Sequence, residues 1–268
     1  MAKLVQGGQS GNGWSKIGTF LQCPQKYAYT YLNRSEKKNN TINPLLIKGI
    51  LVHTGLAQLY KRMQSVQNGG DPNEWYAPDV AMYMQCESET PLWFEHFDEC
   101  KGIVDKYFAH WNCDWKVIDV ENAIQAKIGD SVYTGRCDLV IEDENGLYWI
   151  VDHKTTTEIT TEQQYFYSMS GQLIGYAYMG NLTYGEKFAG IILNQIQYTN
   201  GMAFERIKLP KYPSLLNKYP LTIQWAEEQI KQLQEKNTPM SNYPSVMNEF
   251  VCYNRYGACP HIAKCQNK

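Results

Sequence analysis

Apolar and polar residues follow a helical period in the first part of this chain and a strand period in the middle. A helix is expected from Ser15 or Thr19 through Phe20, Tyr27, Tyr29 and Tyr31, and the polar, charged stretch 33–43 reads as a loop. A second helix covers 46–67 and stops at Asn68-Gly69-Gly70-Asp71-Pro72, a run of helix breakers. Residues 71–90 fit neither period. A third helix, over 92–111, carries Trp93, Phe97, Val104 and Phe108 at helical spacing. The pattern then changes to strands over 115–127, 131–141 and 147–155, with Gly129-Asp130 and Asn145-Gly146 as turns. A helix over 162–178, strands over 188–198 and 202–209 around Asn200-Gly201, and a helix over 214–235 complete the order. Helices, a three-strand meander, a helix, a hairpin and a helix make an α/β fold, with a central mixed β-sheet flanked by helices.

The hairpin between the second and third strands concentrates the chemistry. Its first strand contains Gly135-Arg136-Cys137-Asp138 and its second Val151-Asp152-His153-Lys154. Asp152 and Lys154 are two apart and share a strand face, while His153 points to the other. A turn of three or five residues sets Asp138 opposite or near Asp152 on that face. Opposed like charges destabilise a sheet, and a divalent cation between them removes the penalty. Hard cations such as Mg²⁺ and Mn²⁺ prefer carboxylate oxygens. Such a site suits phosphodiester hydrolysis, with the lysine stabilising the negative charge that develops. Glu121 on the preceding strand is a third candidate acid, and His53 beside two carboxylates is a candidate metal ligand or acid–base group. Gln172 and Tyr176 lie at i and i+4 on one helix face.

Net charge is only −2 across 268 residues, so any nucleic-acid contact must use local patches. Lys26, Arg34, Lys37 and Lys38 form one candidate, and Arg206, Lys208, Lys211 and Lys218 another. Residues 1–14 are Gly- and Gln-rich, lack the apolar segment of a secretory signal, and read as a flexible N-terminus. The uncharged stretch 163–185 holds too many Gln, Asn and hydroxyl residues for a bilayer span and reads as a buried or half-buried helix. The expectation is a cytoplasmic protein with no membrane contact.

Of eight cysteines, three crowd the tail as Cys252-x6-Cys259-x5-Cys265, and Cys23 stands alone near the start. Four thiolates hold either zinc or an iron–sulfur cluster. Paired CxxC units are absent, which favours a [4Fe–4S] cluster joining the chain ends over a zinc ribbon. Cys86, Cys100, Cys113 and Cys137 have no ligand spacing and read as core residues.

Taken together, these motifs resemble the RecB-like branch of the PD-(D/E)XK nucleases, specifically members with a C-terminal iron–sulfur cluster, such as the AddB nuclease domain, CRISPR-associated RecB-like exonucleases and phage exonucleases. The matching elements are Cys23-Pro24-Gln25-Lys26-Tyr27, Gly49-Ile50-Leu51-Val52-His53, Glu121, Gly135 to Asp138, Asp152-His153-Lys154, Gln172 to Tyr176 and the cysteine trio. The resemblance implies a restriction-endonuclease-like core and one nuclease domain over 15–268. That domain divides into a helical part (15–112), a catalytic core (113–210) and a C-terminal helix with the cysteine cluster (211–268). It assigns His53, Asp138 and Asp152 to Mg²⁺ or Mn²⁺, Lys154 to transition-state support and water activation, and Gln172 and Tyr176 to holding DNA and the site. Cys23, Cys252, Cys259 and Cys265 would bind the cluster.

Position 153 is often aromatic in such relatives and is His here; the six-residue tail spacing exceeds the usual two. The expected activity is a metal-dependent DNA exonuclease on single strands or duplex ends. The alternatives are a non-catalytic DNA-end-binding subunit and a zinc-stapled structural protein. No Gly-x-x-x-x-Gly-Lys-Ser/Thr loop is present, so any helicase or recombination motor is a separate partner. A stand-alone chain of this kind fits a viral or mobile-element setting.

Overall fold

Five of the strand-period segments join into one sheet. The structure is a computed structural model that describes residues 2–5, 12–33, 43–112, 115–199, 201–254 and 257–266. The strands are β1 (Lys116–Ile128), β2 (Ser131–Glu142), β3 (Tyr148–Thr156), β4 (Phe188–Gln197) and β5 (Phe204–Pro210), ordered β1-β2-β3-β4-β5. β3 and β4 run parallel and every other neighbouring pair is antiparallel, so the sheet is mixed as expected.

Strand alternation sorts the core into two layers. Val140 and Ile150 face one layer, where they meet α1 (Trp14–Gln22), α7 (Gly171–Tyr184) and α8 (Pro213–Glu235) through Ile17, Leu173 and Ile223. Leu139 and Val151, one residue away on each strand, face the other layer. There they pack with α3 (Pro44–Gln67), α4 (Pro78–Glu87) and α5 (Phe97–Trp111) through Leu51, Met82 and Ile103.

Three expectations need correction. The single helix through 15–31 is broken: α1 ends before Cys23, which is extended (φ −163°), and α2 (Pro24–Tyr27) restarts the chain before a π-helical turn at Ala28–Leu32. Proline disfavours the helical conformation in the residue before it, and the Cys23 side chain then caps α2 by accepting the Lys26 amide. The unassigned stretch 71–90 contains α4, whose Ala81, Met82 and Cys86 are buried. The helix over 162–178 is two helices, α6 (Thr161–Ser168) and α7, separated at Met169 and Ser170. The buried or half-buried reading of 163–185 holds: α7 has buried residues, and Gln163, Gln164 and Tyr167 of α6 are half-buried beside exposed Tyr165 and Phe166.

The chain ends meet. Gln25 donates its side-chain amide to Ser241 O (2.9 Å) and its backbone N–H to Pro244 O (3.0 Å), and Cys265 Sγ donates to Gln25 Oε1 (3.1 Å). The tail itself is α9 (Glu249–Cys252), a two-strand ribbon of β6 (Tyr253–Asn254) and β7 (Gly257–Ala258), and α10 (Ile262–Cys265). Arg34, Lys37, Lys38, Cys113, Asn200 and much of the N-terminal stretch lie outside the described residues. Among the described residues no helix is long and apolar enough to cross a membrane.

Candidate active site

The β2–β3 connection spans residues 143–147 and is closed by one side chain. Asp143 Oδ1 accepts the amides of Asn145 (2.9 Å) and Leu147 (3.0 Å), and its Oδ2 accepts Trp149 Nε1 (3.0 Å). Gly146 takes φ +75°, a conformation glycine adopts without a Cβ penalty. This five-residue turn sets the register Leu139↔Val151, and the next residues in step are Asp138 and Asp152. On the other side of β2, Val120 pairs with Leu139 and Asn122 with Cys137, so Glu121 and Asp138 face each other between them. Three carboxylates thus stand in a row across β1, β2 and β3.

Their environments differ. Asp138 Oδ1 lies 3.4 Å from His53 Nδ1 of α3, and its Oδ2 accepts the His153 backbone N–H at 2.7 Å. Burial pushes the Asp138 carboxyl up, but the charge and hydrogen bond of His53 outweigh it and hold the group well below the usual carboxylate range. Burial likewise opposes protonation of His53, and Asp138 reverses that, raising the imidazole above its ordinary value. Asp152 is 2% exposed and pairs with Lys154 Nζ at 2.5 Å. Burial raises its pKa despite that ammonium, and the Asp138 charge adds to the rise. Burial and then Asp138 push Glu121 up to about 7. Glu121 also sits at φ +52°, the left-handed region, which is costly for a residue with a Cβ.

Lys154 is aimed from α7. Its Nζ donates to Gln172 Oε1 (3.3 Å), Gln172 Nε2 donates to Tyr176 Oη (3.1 Å), and Tyr176 Oη donates to Arg136 O (2.6 Å). The chain of bonds explains the glycine that opens Gly135–Asp138. A Cβ on Gly135 would sit 2.8 Å from Tyr176 Cε1, so only glycine lets that ring lie against β2. Gly49 acts similarly but less strictly: a Cβ there would be 3.3 Å from Thr155 Oγ1 of β3.

His153 lies on the strand face opposite Asp152 and Lys154, as alternation requires, with its ring edge-on to His53 (centroids 5.9 Å). It is 2% exposed, its ring stacks on Tyr60 (centroids 5.8 Å, 11°), and its Nδ1 accepts from Asn194 Nδ2 at 2.6 Å. Burial drives its pKa down to about 3. Tyr60, Tyr107 and Asn194, which build this bracing cluster, carried no sequence signal beyond core-type spacing.

The structure shows what most of the second basic patch packs against, and leaves Lys208 and Lys218 exposed. Arg206 lies between Trp111 (3.7 Å) and Trp115 (3.4 Å), Lys208 lies over Trp149 (5.1 Å), and Lys211 donates to Asn181 Oδ1 (3.1 Å). These cations pack against the protein's own aromatic and amide groups. An apolar cleft beside Tyr167, Leu173, Ile191, Tyr212 and Leu216 is lined by none of the three carboxylates, so it is set apart from this chemistry.

At the tail, burial and then the nearby Cys259, Cys23 and Cys252 raise the Cys265 thiol, which places all four cysteines in one neighbourhood. Cys86, Cys100 and Cys137 are buried core residues, as expected. Among the described residues no group of three or more His, Cys, Asp and Glu side chains stands ready to hold a metal ion. The Asp138 oxygens face His53 and the His153 amide, and an Asp152 oxygen faces Lys154. The donor chemistry still fits a hard divalent cation at the acidic row, because three adjacent carboxylates repel one another and two are pushed upward. The four cysteines that influence one another at the tail are of the donor type that a soft-metal cluster takes.

The family model described as PD-(D/E)XK nuclease superfamily matches residues 14–266. A crystal structure of a "Putative exonuclease" from Eubacterium rectale is similar in fold, with TM-score 0.52 and 12% identity, over 91% of this chain and 87% of that one. The crystal structure of SSO0001 aligns at TM-score 0.32 and 16% identity, over 84% of this chain and 88% of that one. No curated protein matches the chain.

Proposed function

We propose that this chain, which belongs to the PD-(D/E)XK nuclease superfamily, is a metal-dependent deoxyribonuclease acting as an exonuclease on single strands or duplex ends. The observation that carries this reading is the row Glu121–Asp138–Asp152 with Lys154 on the Asp152 face. Asp138, Asp152 and His53 would hold a Mg²⁺ or Mn²⁺ ion. When bound, that ion supplies Lewis-acid polarisation of the phosphoryl oxygen and lowers the pKa of water.

The chain's own groups do the rest. Lys154 Nζ, oriented by Gln172, donates to the phosphoryl oxygen as negative charge builds on it. Tyr176 fixes Gln172 through its bond to Arg136 O and holds the site together. The His153 amide orients the Asp138 carboxylate. Glu121, poised at about 7, is suited to taking a proton near neutral pH.

Cys23, Cys252, Cys259 and Cys265 would carry a structural [4Fe–4S] cluster that joins the two chain ends. Iron and acid-labile sulfide in anaerobically purified protein, lost in Cys265→Ser, test that assignment; zinc in place of iron refutes it. These 268 residues carry no P-loop, so any unwinding coupled to this site would come from a motor outside them, such as a helicase or recombination partner in a cytoplasmic setting.

The test of function is digestion of end-labelled linear and circular single-stranded DNA with Mg²⁺ or Mn²⁺, beside Asp152→Ala. Loss of linear but not circular DNA, abolished by the substitution, is the expected result. Cutting of circles would make the enzyme an endonuclease. Binding without any cutting would make it a DNA-end-binding subunit.

A further inference from the structure

We infer that Trp14 is a positioning residue: its indole braces the first turn of α7 and, through Gln172, holds Lys154 in line. The inference rests on the nuclease reading above and deepens it by naming what fixes the lysine.

The turn that carries Gln172 has no side-chain cap of its own. Ser170, the residue before α7, makes no side-chain bond to the helix. The first amides of a helix have no partner inside it, and such an end frays unless something else holds it. Gln172 sits in that end, and its Oε1 accepts from Lys154 Nζ. Its other bond goes to Tyr176, one turn further on.

The support comes from α1. A Cβ on Gly171 would overlap the Trp14 indole, and a Cβ on Gly18 would sit 2.8 Å from Trp14 Nε1. The indole therefore lies between a glycine of its own helix and a glycine of α7. Tyr219 of α8 lies beside it, with ring centroids 6.1 Å apart, and a Cβ on Gly175 would sit 2.5 Å from Tyr219 Oη. Gly171 and Gly175 are four apart and share one side of α7. Gln172 and Tyr176 each follow by one residue, about 100° around the helix. Glycine weakens a helix relative to alanine. Two of them on this side let the rings come close and seat the neighbouring side toward β2, where Gly135 receives Tyr176.

Trp14 is itself tied to the sheet. β3 pairs with β2 over 139–142, and Asn12 takes up the β2 backbone nearer its start. The Thr134 N–H donates to Asn12 O (3.0 Å), the Asn12 N–H donates to Thr134 Oγ1 (3.2 Å), and Asn12 Nδ2 donates to Val132 O (3.0 Å). The brace thus runs from β2 through Asn12 and Trp14 to Gly171. It returns to β2 through Gln172, Tyr176 and Arg136 O. Lys154 is attached to this closed loop at Gln172.

The test uses the full chain. In Mn²⁺, on a single-stranded oligonucleotide, Trp14→Ala should lower kcat by about tenfold with KM unchanged, because a displaced catalytic group loses rate and not binding. In a Gln172→Ala chain the same substitution should change kcat by less than about twofold, since the group it acts through is already gone. A tryptophan that only stabilises the fold would cost the same factor in both chains. Trp14→Phe, whose smaller ring keeps α1 packed, should lie between the parent and Trp14→Ala, and it carries the same comparison if Trp14→Ala does not fold. The second readout needs no DNA. In metal-free protein labelled with ¹⁵N, the Gln172 side-chain amide, assigned by its loss in Gln172→Ala, should shift in Trp14→Phe. The Gln64 amide, which donates to Ile118 O (2.6 Å) in the other layer, should stay.

An equal loss of kcat in both backgrounds overturns the inference, and so does an unmoved Gln172 resonance. A chain that cleaves no DNA but shows the Gln172 shift refutes the nuclease reading alone. A chain that cleaves DNA with kcat indifferent to Trp14 refutes the brace alone.

Discussion

His153→Phe should flatten the acid sensitivity of folding, and the size of the effect follows from where the ring sits. His153 is buried against Tyr60 and accepts from Asn194 Nδ2 through Nδ1, so an imidazolium would turn an N–H onto an N–H donor. Its folded pKa is about 3, against 6.5 for the free side chain. The folded value is depressed, so the unfolded chain binds the extra proton; the contribution is complete above about 6.5 and is lost as pH falls toward 3. Between roughly pH 7.5 and pH 5 the unfolded state gains about 2 kcal/mol from this one group. That figure depends on the unfolded pKa alone as long as the folded one stays below about 4. Urea unfolding followed by tryptophan fluorescence, in EDTA at both pH values, measures it. The variant loses the Asn194 bond, a penalty that is the same at both pH values and cancels in the difference. The parent should lose about 2 kcal/mol more than the variant on acidification. Equal losses would refute the argument that His153 is held neutral by burial.

Three other substitutions probe the site. Gly135→Ala should cost about 1–3 kcal/mol of stability by driving a Cβ into Tyr176, and should lower kcat because Tyr176 and Gln172 aim Lys154; unfolding and turnover measured together would show both. Glu121→Gly should raise stability by about 1 kcal/mol, since it relieves a left-handed backbone and a crowded carboxylate, while activity falls; a lowered urea midpoint would contradict this. Lys154→Ala should reduce kcat by about 10²–10³, the scale for losing one donor to developing negative charge, with Gln172→Ala costing distinctly less because Lys154 keeps its pairing with Asp152. Steady-state rates of the two variants on one oligonucleotide decide their order.

Most of the sheet was legible because strand periodicity and Asn-Gly or Gly-Asp turns are local signals. The acidic pair could be placed on one face by counting residues, and the count was right because Asp143 closes a five-residue turn. Legibility failed where a local rule lost to a neighbour. Cys23 interrupts a helical pattern because a proline follows it. The α6–α7 break at Met169-Ser170 has a local turn signal in Ser170-Gly171 that the long uncharged run masks, and α6 shows no buried stripe because it has none. α4 was missed because its few buried residues meet α3 and α5 rather than the sheet. The rings beneath Arg206 and Lys208 were out of reach because charge in a sequence does not disclose a tryptophan beneath it. The contact between Gly135 and Tyr176 brings together residues forty positions apart, so the reason for that glycine was out of reach of any local rule.

The turn at 143–147 sits at the surface, where proteins ordinarily tolerate insertions and deletions. Here its length works as a gauge. One residue more or less in it would slide β3 by one step against β2 and exchange the two faces of the strand. Asp152 and Lys154 would then enter the layer that now holds Val151 and His153, and the row of acids would be broken. Substitutions in that loop can accumulate freely at Glu144, whose side chain is exposed, yet its length is locked by chemistry on the far end of the strands. A lineage descended from this protein should therefore vary the spelling of the loop and keep its count.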